Sequence, residues 1–252
     1  MTFKPNSAVR CFAKATLFAA VTSTAFAPSF AASLTFSPVG VDVQGPAKAG
    51  NMSLINNSDV PTRVQIRIFK WTQVDGKDVL EPTRDVVASP PVALIPPGAK
   101  YTLRVARVAP APVAGEESYR LLIDELPPPI DPRTGSSGVQ LLLRASIPAF
   151  FSDAAAKPSV EWRVWNEGGK LHVRASNKGN LHLKLTDFTV DGPSGSTKIS
   201  ATGSGAYVLT GSTLTYESEP GAPTYPVGTQ VTVSAAKGTP FAVRQQVAIS
   251  TP

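Results

Sequence analysis

Two β-sandwiches in tandem are what this chain predicts, and three observations carry the expectation. Short runs rich in Val, Ile, Leu, Thr and Tyr alternate with Gly, Pro, Asn, Asp and Ser at intervals of roughly ten residues, the spacing of a sandwich rather than of βαβ units. The 24 prolines and 19 glycines leave little room for helices. The stretch Ser152-Asp-Ala-Ala-Ala-Lys-Pro158, small and polar and ending in proline, has the composition of a linker. The all-β reading therefore divides the chain into residues 1–31, a targeting segment, then 32–152 and 153–252, one sandwich each.

The targeting segment comes first. Lys4, Arg10 and Lys14 form a basic n-region, and Ala15 to Ala27 is an apolar h-region of secretory-signal length, too short to span a bilayer. Small residues offer cleavage after Ala27 or after Ala31; Ser29-Phe30-Ala31, closer to the first strand, is preferred. Cys11 lies ahead of the h-region, where a lipoprotein attachment cysteine is not placed, so the mature chain has neither thiol nor disulfide. An exported chain of that kind is held by burial alone, for which about 220 residues suffice.

Strands are expected near Ser33–Val43, Gly50–Asn56, Thr62–Gln73, Ala99–Val108, Glu117–Leu126 and Val139–Phe151. A second set follows near Glu161–Asn166, Lys170–Asn177, Leu181–Asp191, Ala206–Leu209, Thr213–Tyr216, Thr229–Ala235 and Arg244–Ser250. Ser89-Pro90 is a candidate cis peptide in a turn. Loss of the three n-region cations leaves 21 basic against 18 acidic residues. Arg63, Gln65 and Arg67 alternate with Val64, Ile66 and Ile68 and read as the solvated face of a strand, and no basic run interleaves with aromatics as nucleic-acid binding requires.

The most informative stretch is 117–148, a long hairpin whose second strand is unusually apolar. Val139, Leu141, Leu143, Ala145 and Ile147 recur at period two and share one face, while Leu142 lies on the other. An edge strand able to lend side chains to another protein has this pattern.

Chemistry-bearing motifs are missing. His172 and His182, the two histidines, have no Cys partner and no metal-ligand spacing, and read as strand residues. Asp124 and Glu125 are adjacent in a strand and point to opposite faces. With no Gly-x-Ser-x-Gly elbow, phosphate loop or zincin motif, neither catalysis nor a cofactor or metal is expected.

Ala93-Leu-Ile-Pro-Pro-Gly-Ala-Lys100 followed by Tyr101-Thr-Leu-Arg-Val105, then Glu117-Ser-Tyr-Arg-Leu-Leu-Ile-Asp-Glu-Leu-Pro-Pro128, then the alternating strand to Phe150-Phe151, resemble the first domain of the periplasmic pilus-assembly chaperones. Asn177-Lys-Gly-Asn-Leu-His182, Ala206-Tyr-Val-Leu209 and the terminal strand resemble that family's smaller domain. The resemblance implies two immunoglobulin-like sandwiches in an L or boomerang. It also implies periplasmic residence without membrane insertion after signal cleavage, pilus subunits (pilins) and an outer-membrane usher as partners, and no nucleic acid. A pilus subunit is a sandwich lacking its last strand, and Val139, Leu141 and Leu143 are expected to fill its open groove.

The best-known branch of the family pins the subunit's C-terminal carboxylate with a basic residue on the first strand and a lysine near the end of the donor strand. Here Pro38 or Val39 and Pro148 occupy those positions, and none of them can. The chain thus resembles the archaic branch, with a relocated anchor. Pairing Leu126 with Val139 places Arg120 opposite Ala145, which makes Arg120 and Arg144 the candidates, with Arg104 and Arg107 next. The alternative reading is a secreted adhesin or carbohydrate-binding module, with Trp71, Trp162 and Trp165 lining a sugar site. Trp162 and Trp165 point to opposite faces of one strand, so the alternative loses at least one of them to a core.

The n-region, h-region and Ser29-Phe30-Ala31 predict export with cleavage after Ala31. Intact mass of the exported protein checks this: a chain beginning at Ala32 is expected, and one retaining Cys11 contradicts it.

Overall fold

Period-two burial runs through most of the chain, and strands are what it produces: β-strand Val41–Gln44 alternates buried and exposed without a break, as does the start of Thr62–Val74. The structure, a computed structural model, describes residues 34–127, 141–201, 203–236 and 241–252. The first ten strands are β1 (Leu34–Ser37), β2 (Val41–Gln44), β3 (Ala49–Asn56), β4 (Thr62–Val74), β5 (Lys77–Pro82), β6 (Val86–Ser89), β7 (Val92–Ile95), β8 (Lys100–Arg107), β9 (Glu116–Leu126) and β10 (Arg144–Ser152).

They form two sheets, β1-β3-β8-β6 and β2-β10-β9-β4-β5, with β7 also paired to β4. The core between them is built from side chains such as Leu54, Leu103, Ile123 and Phe151. The single first strand expected over Ser33–Val43 is two, because Pro38-Val39-Gly40 carries the chain from one sheet to the other. The peptide before Pro90 is cis as expected, as are those before Pro38 and Pro46. The hairpin β4–β5 turns on Asp75-Gly76, both in the left-handed region, at φ 49° and 74°. Asp-Gly is a strong two-residue hairpin signal, yet β5 was not expected, because its strand is charged and mostly exposed.

The remaining strands are β11 (Val160–Glu167), β12 (Lys170–Asn177), β13 (Leu183–Lys184), β14 (Asp187–Gly192), β15 (Gly195–Ser200), β16 (Tyr207–Val208), β17 (Thr213–Glu217), β18 (Gln230–Ala235) and β19 (Val243–Ser250). A continuous path β15-β14-β18-β19-β11-β12-β17 makes two leaves that share β19, and β13 pairs with β16. The second core, with Val164, Val173, Phe188 and Val233 among its members, fills the space between. The expected Leu181–Asp191 strand is likewise two, β13 and β14.

Each sandwich uses a buried asparagine at the end of a strand as a polar joint. Asn56, closing β3, donates to the carbonyls of Val60 (2.8 Å) and Ile95 (2.9 Å), and its Oδ1 accepts from the Ser58 N–H (3.0 Å). Asn177, closing β12, donates to the Leu181 (2.8 Å) and Val208 (3.0 Å) carbonyls and accepts from the Gly179 N–H (3.0 Å). These bonds satisfy loop backbone groups that the ladders leave unpaired. Asn177→Ala orphans at least one buried carbonyl, at a cost of about 1–3 kcal/mol per group. A lower urea midpoint for the second sandwich is the expected outcome; an unchanged midpoint contradicts the role.

Candidate functional site

β9 and β10 pair antiparallel with Arg144 opposite Asp124 and Pro148 opposite Arg120. This register differs by three residues from the one expected, which set Arg120 against Ala145. The hairpin loop is longer than 127–138: Glu125 and Leu143 still meet, the Glu125 N–H donating to the Leu143 carbonyl at 2.9 Å. The correction moves Arg120 next to Pro148, the place where the resemblance puts a lysine. The other vacated position is close by, since β2 joins β10 in parallel with Val41 opposite Ala149, and a Cβ on Gly40 would lie 3.6 Å from the Pro148 ring.

β2 covers the outer edge of β10 only over Ala149–Ser152. Among the described residues, Arg144 to Pro148 have a neighbour on the β9 side alone. Along this half-edge the expected apolar row meets different surroundings. Ile147, at 5% exposure, is part of the first core, and Leu143 and Ala145 pack against that core. That corrects the expectation of five lendable side chains: the fold already uses Ile147 and partly uses Ala145 and Leu143. Leu141 is 89% exposed, Leu142 is exposed too, and Val139 lies outside the described residues.

The opposite face of the same sheet is divided. At one end Arg63, Gln65 and Arg67 of β4 are exposed, as the alternation predicts. At the other end Trp71 of β4 and Phe150 of β10 form a small apolar cluster with Leu209, against which Tyr207 packs. Both contributions after β10 come from the second sandwich. Gln73 bridges the same seam: its side chain donates to the Tyr207 carbonyl (2.9 Å) and accepts from the Leu209 N–H (3.1 Å). Glu116, whose side chain is fully buried, accepts from the His182 backbone N–H (3.1 Å) and meets the ring Nδ1 at 2.7 Å. That imidazole stacks on Phe150 at 3.8 Å. Gly115, at φ +72°, lets the chains approach closely, since a Cβ there would fall 2.9 Å from the Asn180 Cβ.

Arg120 sits where the covered half of this face ends. Its side chain is 7% exposed, its guanidinium carbon lies 3.6 Å from the centre of the Trp71 ring system and 5.7 Å from that of Tyr207, and the nearest carboxylate is Asp78 at 3.9 Å. No hydrogen bond to the guanidinium is made among the described residues. Burial pushes its pKa below the usual arginine value, with Asp78 and Tyr207 pulling the other way; arginine stays protonated regardless. The part of the side chain that stays exposed leaves its nitrogens within reach of solvent, and a carboxylate is the acceptor whose two oxygens match the guanidinium fork.

Arg144 is placed differently. Its side chain is two-thirds exposed and pairs with Asp124, to which Arg67 also donates at 2.6 Å. Arg107 is taken up by a two-pronged pair with Glu117 (2.8 and 2.9 Å), while Arg104 is exposed. The tryptophans offer no sugar platform: Trp71, Trp162 and Trp165 are 1, 8 and 5% exposed. Trp162 is in the second core, and Trp165 is covered by His172, Arg163 and Arg174. Neither histidine belongs to a metal-binding group among the described residues.

Residues 33–156 match the family described as pili and flagellar-assembly chaperone, PapD N-terminal domain. Over those residues, the first sandwich, the chain belongs to the pilus-assembly chaperones. A chain of the CsuC–CsuE chaperone–tip adhesion subunit pre-assembly complex, from the archaic chaperone-usher Csu pili of Acinetobacter baumannii, is 27% identical, with a TM-score of 0.60 over 88% of this chaperone and 100% of that chain. The fold is shared with a chain of the Salmonella enterica SafA pilin–SafB chaperone complex (19% identity, TM-score 0.58, covering 86 and 96%). It is shared as well with the E. coli chaperone DraB (21%, 0.55, covering 86 and 98%). No curated protein sequence matches the chain.

Sequence reading of this chaperone missed the surroundings of Arg120. A signal was present: Phe150 and Phe151 are adjacent in a strand and so point opposite ways, yet both are large and apolar, which requires cover on both faces. The pair His182 and Glu116 carries no such signal, since its partnership crosses the seam between residues 66 apart.

Asp124 carries a pH dependence. Burial raises its carboxyl, but the bonds and charges of Arg144 and Arg67 more than offset this and hold it below its usual value. The stability it confers is therefore complete above about pH 4 and is lost as the pH falls through the lowered value. Asp124→Asn is expected to lower stability at pH 7 by about 1 kcal/mol, limited by the exposure of both arginines. Denaturation series at pH 7, 4 and 3 should show the gap to wild type closing toward acid. A gap independent of pH contradicts the assignment.

Proposed function

We propose that this protein is a periplasmic chaperone that binds, folds and caps pilus subunits by donor-strand complementation and delivers them to an outer-membrane usher. The observation that carries the reading is the half-edge of β10. It runs from Arg144 to Pro148, with exposed Leu141 three residues before it and, beside Pro148, the buried Arg120, whose guanidinium makes no hydrogen bond among the described residues. Leu141 and Pro148 are seven residue steps apart, about 23 Å if the segment is extended throughout, enough for one subunit strand to pair along it.

In this reading Arg120 takes the subunit's C-terminal carboxylate as a two-pronged partner and sets the register. Leu141, supported by Leu143 and Val139, enters the subunit groove, while Ala145 and Ile147 back the strand from within. Full burial of each such leucine contributes about 1.5–3 kcal/mol. A one-residue slip would turn the row away from the groove, so the anchor and the row need each other. The relocated anchor, with proline at the usual lysine position, and the likeness to the Csu complex support placing the protein in the archaic branch. Arg144, already paired with Asp124, is the second candidate. The division into a signal segment to Ala31 and domains 32–152 and 153–252 fits two cores served by strands ending at Ser152 and beginning at Val160.

Leu141→Glu changes an exposed side chain, so the fold should keep its stability to within about 0.5 kcal/mol. Copurification of the tagged subunit should nevertheless be lost. Leu143→Glu is a poorer test, because that side chain packs on the first core. Arg120→Ala removes a charge-assisted pair worth about 2–5 kcal/mol in the complex and should leave the subunit open to periplasmic proteolysis. Arg120→Lys rescues in part, a point charge replacing a fork. Wild-type subunit yields with Arg120→Ala would move the anchor to Arg144, and wild-type capture by Leu141→Glu would remove the donor role.

A further inference from the structure

The cation proposed as the anchor is held by two aromatic rings, and the two rings belong to different sandwiches. Trp71 lies on β4 of the first, with the guanidinium carbon of Arg120 3.6 Å from its ring centre. Tyr207 lies on β16 of the second, 5.7 Å from the same carbon and edge-on to Trp71 at 5.7 Å and 77°. The faces of both rings carry negative charge density, and they replace part of the water shell that burial removes from the guanidinium. Besides the rings the group has one ion-pair partner, Asp78 at 3.9 Å, and no hydrogen bond to it is made among the described residues.

The position of Tyr207 is itself imposed from the first sandwich. Gln73, two residues along β4 from Trp71, grips the Tyr207 carbonyl and the Leu209 N–H at 2.9 and 3.1 Å. Phe150 tilts against both rings at 5.9 and 5.7 Å. The second sandwich also brings a cation of its own to the Tyr207 ring, Lys184, whose Nζ lies 5.4 Å from the ring centre.

Resting on the anchor reading, we infer that Trp71 and Tyr207 are positioning residues for Arg120, so that carboxylate capture by the first sandwich depends on the seating of the second. A flat guanidinium trapped against rings presents its fork at one fixed angle. One free to rotate presents it only part of the time, and affinity falls by that fraction.

The test uses the full mature chain and acetate as a free carboxylate, read at the side-chain Nε–H resonance of Arg120 by nuclear magnetic resonance, with acetamide and chloride as controls. In the wild type, acetate should move this resonance while the controls do not, and rotation about the Nε–Cζ bond should be slow. Tyr207→Leu and Trp71→Leu should speed that rotation and raise the acetate half-saturation roughly five- to tenfold. Tyr207→Phe, which keeps the ring, should match the wild type. Should the leucine variants unfold, Gln73→Ala decides, since it keeps every ring and releases only the grip on Tyr207; faster rotation and weaker acetate binding are expected. Unchanged rotation and unchanged half-saturation in these variants overturn the inference. A wild-type resonance indifferent to acetate overturns the anchor reading instead, while the rotation rates still report whether the rings hold the cation.

Discussion

One face of the β2-β10-β9-β4-β5 sheet lies in two environments, and the rest of the molecule is arranged around the line between them. On one side of the line the face is polar and wet, with Arg63, Gln65 and Arg67 in solvent. On the other it is sealed by Tyr207 and Leu209. Strands with one wet face alternate; strands with two covered faces do not, and β9 is buried at four successive positions from Ser118 to Leu121 for that reason. Arg120 is the third of these four, so its stem runs among apolar groups while its head faces the boundary.

The seam that draws this line is small in apolar terms and rich in polar links. Trp71, Phe150 and Leu209 are few beside either sandwich core. The joint relies also on the Glu116 carboxylate and the Gln73 amide, each holding the second sandwich by two contacts. Directional bonds of this kind fix an angle better than apolar contact does, because they weaken steeply once bent. A buried carboxylate such as Glu116 is tolerable only with its partners in place.

Much of the fold was legible in the sequence because it follows from local pattern. Apolar and β-branched runs bounded by turn residues place β3, β4, β8, β9 and β12 to within a residue or two at either end. The strands that escaped, β5, β6, β7 and β15, are short or exposed, and an edge strand with one neighbour needs little apolar content to form. Site residues were legible in kind but not in place. That a basic group near the end of the hairpin replaces those missing at Pro38, Val39 and Pro148 is what the family resemblance implies. Its register could not be read, because the length of the β9–β10 loop is set by Glu125 meeting Leu143, a contact between residues 18 apart. Trp71, the ring nearest Arg120, falls with Trp162 and Trp165 into the sugar-site alternative for want of any local sign that it is covered from residue 207.

The free half-edge of β10 has one more property. It is five residues long, carries a charged side chain at Arg144, and ends in Pro148, which has no N–H to offer. Short, charged and proline-stopped edges are poor templates for a copy of themselves. Two molecules of this chain laid edge to edge would gain a handful of backbone bonds and no more. On the proposed reading, a subunit strand that brings a terminal carboxylate gains those bonds and the anchor as well, so this edge favours capture of such a strand over self-pairing.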